Sequence, residues 1–275
     1  MKPPSFDRNP PAPAIEKKKS LAEEFTKEEI IQGLSIPDKG IVVGENVEIQ
    51  SASKRDMRSP MAKSLFGDNV LKIEIFLFKK ENDTLKPFSD MTFFLGEQIN
   101  GEKIFFGNTL LLEKRDEGSG LDLECQREFF CKNHGIQTIY NRATSGSGYV
   151  GAYVWAKYGY EFADEKERDS LAKDLSKFAS NQGVKITQDL SDLKRPIDFA
   201  RVESQILEKS RFFKKIKKIA TGKKFLLNEG FLNDEIAWHG KRDLTPGSQG
   251  TKDFIAYLRE KGREDLIQKY YADEK

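Results

Sequence analysis

The sequence has few of the residues that build disulfide frameworks or metal sites. It contains two cysteines and two histidines among 275 residues. Both cysteines fall in the expected helix Leu121–Lys132, and their six-residue separation puts them on different faces, which argues against a bridge. A structural zinc site takes four Cys or His ligands, and here these residues are scattered. The scarcity excludes a disulfide scaffold and favours a reducing, cytoplasmic setting.

The sequence also lacks a long apolar run and a large excess of either charge. No apolar stretch approaches the roughly 20 residues that span a bilayer. The start, Met1-Lys-Pro-Pro4, has no apolar core of a signal peptide. Lys and Arg number 46 against 44 Asp and Glu, which argues against a dedicated nucleic-acid binder. We expect a cytoplasmic protein without a membrane partner; a secreted effector or a part of a virion stays open.

Proline is concentrated near one end of the chain. Residues 1–19 hold five of the ten prolines and finish in three lysines, a composition that predicts a disordered or polyproline leader. We expect one folded domain over residues 20–190 and a mainly helical extension over residues 191–275. In the extension, residues 205–225 carry eight Lys or Arg, and the pattern predicts a helix with its lysines in water. A nucleic-acid contact through this helix is the alternative that we rank lowest.

The strongest β signals precede the middle of the chain. Alternating or continuous apolar residues predict strands over residues 41–49, 69–80, 91–99 and 103–112. Asn100-Gly101 is a strong hairpin signal between the last two of these strands. Before these strands, Thr26-x-x-Glu29 predicts a helix start. After them, Asp164-x-x-Glu167 predicts another, and residues 251–261 predict a late helix.

The most informative segment follows these strands, between Leu110 and Leu123. An apolar run ends in charged residues, glycines follow at 118 and 120, and an amphipathic helix begins at once. The first N–H groups of a helix have no partner within it and carry partial positive charge. Glycines let a phosphate approach the backbone, and the guanidinium group of Arg115 adds a positive charge with several N–H donors. The segment therefore predicts an anion site.

The spacing Arg115-x-x-Gly118-x-Gly120 resembles the pyrophosphate loop of the GNAT superfamily of N-acetyltransferases, which reads Gln/Arg-x-x-Gly-x-Gly/Ala. Helix, strand, short helix and a Gly159-aromatic strand then follow in the order of that family, over roughly residues 65–190. The resemblance implies an α+β fold with a mixed, splayed central sheet flanked by helices. It also implies a final strand beside the Gly-aromatic strand, for which Val184–Thr187 is the candidate.

The resemblance implies that acetyl-CoA or another acyl-CoA is the cofactor. The strand before the loop binds the pantetheine arm, and the loop and helix start bind the phosphates. These roles fall to Leu110, Leu111 and Leu112 for the arm, and to Arg115, Asp116, Glu117, Gly118, Ser119, Gly120 and Leu121 for the phosphates. Asp116 and Glu117 oppose this interpretation, because carboxylates repel a pyrophosphate.

The residues for proton transfer depart from the family pattern. Relatives often protonate the leaving thiolate with a tyrosine, but that position holds Trp155, and an indole is no useful acid. Tyr153 and Tyr149 are the nearest substitutes, along with Tyr158, although each can equally be a packing residue. For the base, relatives often use a strand glutamate. Glu74 and Glu113 are the candidates here, and a strand residue such as Glu74 can equally face solvent.

Two functions from different classes stay open. The first is an acyl-CoA-dependent N-acyltransferase that transfers an acyl group directly to an amine in a ternary complex. Its acceptor is unknown and can be a protein, and its oligomeric state is not predicted. The second is a catalytically degenerate GNAT-like module with a binding or structural role in a phage or toxin-type multi-domain protein. The acidic pair in the loop and the missing tyrosine fit the second function.

Overall fold

The computed structural model describes residues 21–53, 55–57, 59–98, 100–112, 119–146, 149–209, 214–229 and 235–274. The Pro-rich leader over residues 1–19 lies outside this part of the chain. Within the described ranges, no helix has both the length and the apolar composition needed to cross a bilayer. The fold is α+β, as expected: a mixed, mostly antiparallel sheet is flanked by helices.

The chain before Leu190 contains most of the predicted elements. The strand expected over residues 41–49 is instead two strands, Ile41–Val43 and Glu48–Ala52, and the strand expected over residues 91–99 begins at Thr84. The strands are β1 (Ile41–Val43), β2 (Glu48–Ala52), β3 (Phe66–Glu81), β4 (Thr84–Gln98), β5 (Lys103–Leu112), β6 (Thr138–Gly146), β7 (Tyr149–Val150), β8 (Glu161–Phe162), β9 (Lys185–Ile186), β10 (Ser204–Lys209), β11 (Lys214–Ile219) and β12 (Ile236–Asp243). The helices are α1 (Leu21–Glu24), α2 (Lys27–Leu34), α3 (Pro60–Leu65), α4 (Ser119–Asn133), α5 (Gly151–Lys157), α6 (Glu165–Asn181), α7 (Pro196–Ala200), α8 (Thr221–Leu226), α9 (Gln249–Glu260) and α10 (Glu264–Tyr270).

Residues at the ends of three helices explain where these helices begin or stop. Thr26 and Glu29 form a reciprocal capping box at the start of α2. The Asp164 side chain accepts a hydrogen bond from the Lys166 backbone N–H at the start of α6. Gly135 follows α4 with φ of 69°, a left-handed conformation that favours glycine at a helix end.

The main sheet has the strand order β1-β3-β4-β5-β6-β12-β8. β3, β4 and β5 form an antiparallel meander, whereas β5 and β6 are parallel and are joined through α4. β12 lies between β6 and β8 and is antiparallel to both. A strand from the C-terminal region thus completes the sheet that the earlier strands begin.

Two expectations about the later part of the chain are wrong. The described part of residues 205–225, predicted as a basic helix, contains the antiparallel strands β10 and β11 and then the short helix α8. The segment at 184–187 does form a short strand, but β9 pairs with β10 in a separate three-stranded sheet. The strand that pairs with β8 is β12, which comes much later in the chain. The C-terminal region therefore contains strands as well as the expected helices.

The two faces of the main sheet carry different cores. On one face, Arg127 of α4 lies over the ring of Phe105, and α2, α4, α5, α9 and α10 pack around a large apolar cluster. On the other face, Phe106 belongs to a smaller cluster covered by Ala62 of α3. Phe105 and Phe106 are neighbours in β5, so their side chains point to opposite faces, as strand geometry requires.

Candidate functional site

The candidate site is the gap that opens between β5 and β6. The two parallel strands pair from Ile104 with Thr138 to Gly107 with Asn141. Beyond that point β5 continues to Leu112 and β6 continues to Gly146, but within these described strands the ladder between them ends. The strands therefore separate in the middle of the sheet, and among the described strands the β5 segment 109–112 pairs with β4 alone.

Gly107 and Asn141 occupy the point of separation. A Cβ on Gly107 would lie 2.1 Å from Oδ1 of Asn141, so the amide of Asn141 fills the space that a side chain would take. Asn141 is buried, and its Oδ1 accepts a hydrogen bond of 3.0 Å from Arg127. Its Nδ2 has no hydrogen-bond partner among the described residues. A buried amide donor is thus left available at the apex of the gap.

The start of α4 lies at the end of the loop that leads out of β5. Ser119 and Gly120 form the first turn of this 15-residue helix, and Leu121 is buried beneath it. The predicted phosphate-binding residues Arg115, Asp116, Glu117 and Gly118 lie outside the described residues, as does the candidate base Glu113. For Leu110, Leu111 and Leu112 the structure describes the backbone, which runs in β5 along the gap.

A buried cluster of charged residues holds α4 on the sheet. Glu124, Arg127 and Glu128 follow one another at helical spacing and face Arg242 of β12. Arg242 pairs with both carboxylates, at 3.0 Å from Glu124 and in closer contact with Glu128. Arg127 pairs with Glu124 at 2.5 Å. All four side chains are at most 3% exposed, so two positive and two negative charges balance inside the core.

Tyr160 of the Gly-aromatic segment joins this buried charge cluster. Its hydroxyl accepts a hydrogen bond of 2.6 Å from Arg127 and donates one of 3.1 Å to Glu124. Burial raises the pKa of Tyr160 well above its usual value, even though Arg127 acts in the opposite direction. The hydroxyl therefore stays protonated at neutral pH, as a donor to Glu124 requires. Gly159, which precedes it, has φ of 81° and packs against Gly250 of α9.

Burial also shifts the pKa of Glu128. Loss of solvent raises the pKa of this carboxyl, Arg242 partly offsets the increase, and the charge of Glu124 adds to it. For Arg242, burial acts to lower the pKa, but Glu128, Tyr160 and Glu124 outweigh it and the net change is upward. Arg242 thus remains a permanent cation between the two glutamates.

The candidate base Glu74 lies away from the gap. It sits in β3, opposite Thr92 of β4, so that β4 and β5 separate it from the space beside β6. At about 4.8 Å per strand, this places its backbone about 10 Å from β5. Its carboxylate pairs with Lys72 at 2.8 Å, with both side chains partly exposed. Glu74 therefore shares the main sheet with Leu110, Leu111 and Leu112 but does not lie at the gap.

The tyrosine candidates Tyr149 and Tyr153 lie in the two elements that follow β6. Tyr149 begins β7, which pairs with the end of β6 on the edge that faces β5, because the other edge of β6 is taken by β12. Tyr153 is half-buried in α5, with Lys223 over its ring, and burial followed by the charge of Glu260 raises its pKa. Trp155, at the position of the usual acid, packs edge-on against the rings of Tyr158 and Tyr160.

Sequence reasoning missed Asn141, Arg127 and Arg242. Asn141 and Arg242 occupy inward-facing strand positions where a polar residue argues against a strand, and Arg127 lies on the buried face of a helix. A signal was present in α4, where Glu124, Arg127 and Glu128 interrupt the apolar face at spacings of three and four. Buried charges at such positions require partners elsewhere in the fold.

Across the described residues, no three His, Cys, Asp or Glu side chains are grouped so as to hold a metal ion. No protein-family model matches the sequence, and no curated protein matches it either. We therefore infer the function from the architecture of the sheet and from the residues around the gap.

Proposed function

We propose that the chain is an acyl-CoA-dependent N-acyltransferase that binds its cosubstrate in the gap between β5 and β6. The observation that carries the proposal is the early end of the β5–β6 ladder at Gly107 and Asn141, within a sheet that continues on both sides. A separated pair of parallel strands at the centre of a sheet is the arrangement that the GNAT resemblance implies. The placement of β12 between β6 and β8 also agrees with a GNAT-like strand order.

The gap offers suitable partners for an extended, amide-containing chain. Over residues 109–112, β5 pairs with β4 on one edge, and its other edge has no partner among the described strands, so alternate backbone N–H and C=O groups there face the gap. Pantetheine contains two amides and fits such an edge in the manner of an added strand. The N-terminus of α4 lies at the far end of β5, where the phosphates of coenzyme A would meet its partial positive charge.

Direct transfer needs an amine to attack the thioester carbonyl, lose a proton and expel a thiolate. The carbonyl oxygen gains negative charge as the amine attacks. The Nδ2 group of Asn141, buried at the apex of the gap, is a donor of the type that stabilises this charge. Tyr149 and Tyr153, on the two elements that follow β6, are the candidates to protonate the thiolate.

The acceptor is an amine of unknown identity. β12 and the helices after it complete the sheet, so the C-terminal region belongs to the structure that bears the gap and can form a wall of the acceptor site. Trp155 favours the second candidate function, a GNAT-like module without transfer chemistry, because its indole packs among aromatic rings at the acid position. Both candidates share the gap, and cosubstrate binding and turnover separate them.

The first test is calorimetric titration of the protein with acetyl-CoA and with free coenzyme A. We expect a micromolar dissociation constant. Gly120→Leu should weaken binding at least about 10-fold, because its side chain would occupy the space of the pyrophosphate. Gly67→Ala is the matched control: its Cβ would lie 3.4 Å from the carbonyl oxygen of Glu97, far from the gap. Absence of binding at millimolar acetyl-CoA by a folded sample would overturn the proposal, whereas binding without transfer to any amine would favour the module.

A further inference from the structure

Three residues from distant parts of the chain meet on the face of the sheet opposite α4. Ser59 precedes α3, Glu167 lies in the first turn of α6, and His239 lies in the middle of β12. The Oγ atom of Ser59 is 3.0 Å from Nε2 of His239. The Nδ1 atom of His239 is 2.6 Å from Oε1 of Glu167. The order hydroxyl, imidazole, carboxylate is that of an activated serine nucleophile.

The hydrogen-bond partners of His239 favour one tautomer of its ring. An ionised carboxylate only accepts, so Nδ1 of His239 carries a proton and donates it to Glu167. In the neutral imidazole the bare Nε2 then accepts, and its partner is the hydroxyl of Ser59. The backbone N–H of Ala62 donates to the Ser59 oxygen at 3.3 Å, which leaves the hydroxyl proton directed at the imidazole. Nε2 is thus in place to remove that proton.

The imidazole is held on both sides. The second carboxylate oxygen of Glu167 accepts the backbone N–H of His239 at 2.6 Å, so one carboxylate binds both the ring and the main chain of the same residue. The ring of Phe106 lies 6.3 Å away on the β5 side. Ser59 is 7% exposed, and the His239 side chain is 15% exposed. Both side chains therefore retain contact with solvent.

A second capping serine shows what a purely structural role looks like in this chain. Ser248 precedes α9 and, like Ser59, accepts a backbone N–H from the residue three positions later. Its own hydroxyl lies 2.7 Å from the backbone carbonyl of Asp243. Ser59 instead directs its hydroxyl to a histidine that a carboxylate orients. Helix capping alone does not require that arrangement.

We propose that Ser59 is an acyl-accepting nucleophile, activated by His239 and positioned by Glu167, which gives the protein esterase or thioesterase activity toward small acyl groups. The Ser59 oxygen forms a bond to the acyl carbon while Nε2 of His239 takes its proton. The ester or thioester bond then breaks, and the leaving alcohol or thiol receives that proton. Water then hydrolyses the acyl-serine. It attacks the carbonyl carbon while His239 takes its proton, and His239 passes this proton to the Ser59 oxygen as the carboxylic acid leaves.

The test uses the whole folded protein and a fluorophosphonate, a reagent that phosphonylates activated serines. We expect one covalent adduct per chain, located at Ser59 by peptide mass spectrometry, and an acyl adduct at the same residue with p-nitrophenyl acetate. Ser59→Ala should abolish the adduct, and Ser248→Ala should label like the wild type. His239→Gln should lower the labelling rate at least about 100-fold, which is the lower range of general-base contributions.

The test of Glu167 has to separate a loss of serine activation from a loss of folding. Glu167→Gln should lower the labelling rate at an unchanged melting temperature, and Glu167→Asp should recover part of it. A folded wild type that forms no adduct, or a Ser59→Ala variant that labels normally, would overturn the proposal. Neither measurement uses coenzyme A, so a failure here is independent of the acyltransferase test.

Discussion

Arg127 donates a hydrogen bond of 3.0 Å to the side-chain oxygen of Asn141, directly below Gly107, and so ties α4 to the sheet where β5 and β6 separate. The same guanidinium pairs with Glu124 and reaches the hydroxyl of Tyr160. The helix that follows the glycine loop is therefore fixed to the apex of the gap by buried polar contacts. Because such contacts are directional, they set the position of α4 more sharply than apolar packing alone.

Gly107→Ala should destabilise the protein by about 1–3 kcal/mol, the usual range for overpacking a filled site. The new methyl group would lie 2.1 Å from Oδ1 of Asn141 and 3.1 Å from Arg127, so the amide must move and release the guanidinium. Urea unfolding at neutral pH measures the change in free energy. Gly67→Ala is the control and should change it by less than about 0.5 kcal/mol. Equal effects of the two substitutions would contradict the close approach at Gly107.

Arg242→Met should be among the single substitutions that lower the free energy of unfolding most. It removes the cation shared by Glu124 and Glu128 and leaves a net negative charge inside the core. Loss of one partner from a buried ion pair typically costs about 3–5 kcal/mol. In the neighbouring strand, Arg142 pairs with Glu235 at 3.6 Å and its side chain is 43% exposed, so Arg142→Met should cost less than about 1 kcal/mol. Thermal and urea unfolding of both variants, side by side, test this difference.

The sequence predicts those elements whose signals are local. β3, β4, β5, α4 and α6 have continuous or periodic apolar patterns and clear ends, such as the Asn100-Gly101 turn and the glycine after α4. In these segments, side-chain preference and turn chemistry agree with the final fold. The bounds expected for the strand at 103–112 are those of β5, because a hairpin turn marks one end and the charged loop the other.

β12 could not be predicted in the same way. Its inward-facing positions alternate correctly from Ile236, but they include Gly240 and Arg242, which weaken a strand pattern. Arg242 is buried only because α4 supplies two carboxylates, and that contact joins residues from distant parts of the chain. The group formed by Ser59, Glu167 and His239 was missed for the same reason, since its members meet only in the folded chain.

The strands β10 and β11 show how a short pattern misleads. Apolar residues at 206, 213, 216 and 220 fit one face of a helix, and the lysines between them fit its solvent-exposed face. Residues 206 and 216 instead lie in two short strands, and periodicity within one segment does not report the pairing between strands. Short apolar sets of this kind favour neither structure until their partners are known.

Glu128→Gln should change how stability depends on pH. Burial raises the pKa of Glu128 in the folded protein above its usual value of 4.5. Between these two values the folded state binds more protons than the unfolded state, so the free energy of unfolding falls as the pH rises. Glutamine cannot ionise, so the variant lacks this pH-dependent contribution to the free energy of unfolding.

The wild type should lose stability relative to Glu128→Gln as the pH rises from about 4.5, with no further relative loss above the folded-state pKa. Urea unfolding at closely spaced pH values measures this difference, and a difference that grows in favour of the wild type would contradict the raised pKa.

The region after Leu190 should prove necessary for the fold of the rest of the chain. In a fragment covering residues 20–190, β6 and β8 lose the strand that lies between them, and Glu124 and Glu128 lose Arg242. Unpaired strand edges invite aggregation, and uncompensated buried carboxylates cost several kcal/mol, which is a large part of the stability of most domains. We expect this fragment to aggregate or to lack a cooperative unfolding transition in circular dichroism. A variant covering residues 20–275 is the control and should melt cooperatively. If the shorter fragment unfolded at the same temperature as the control, the region before Leu190 would instead form a domain by itself, with β12 as an addition to its sheet.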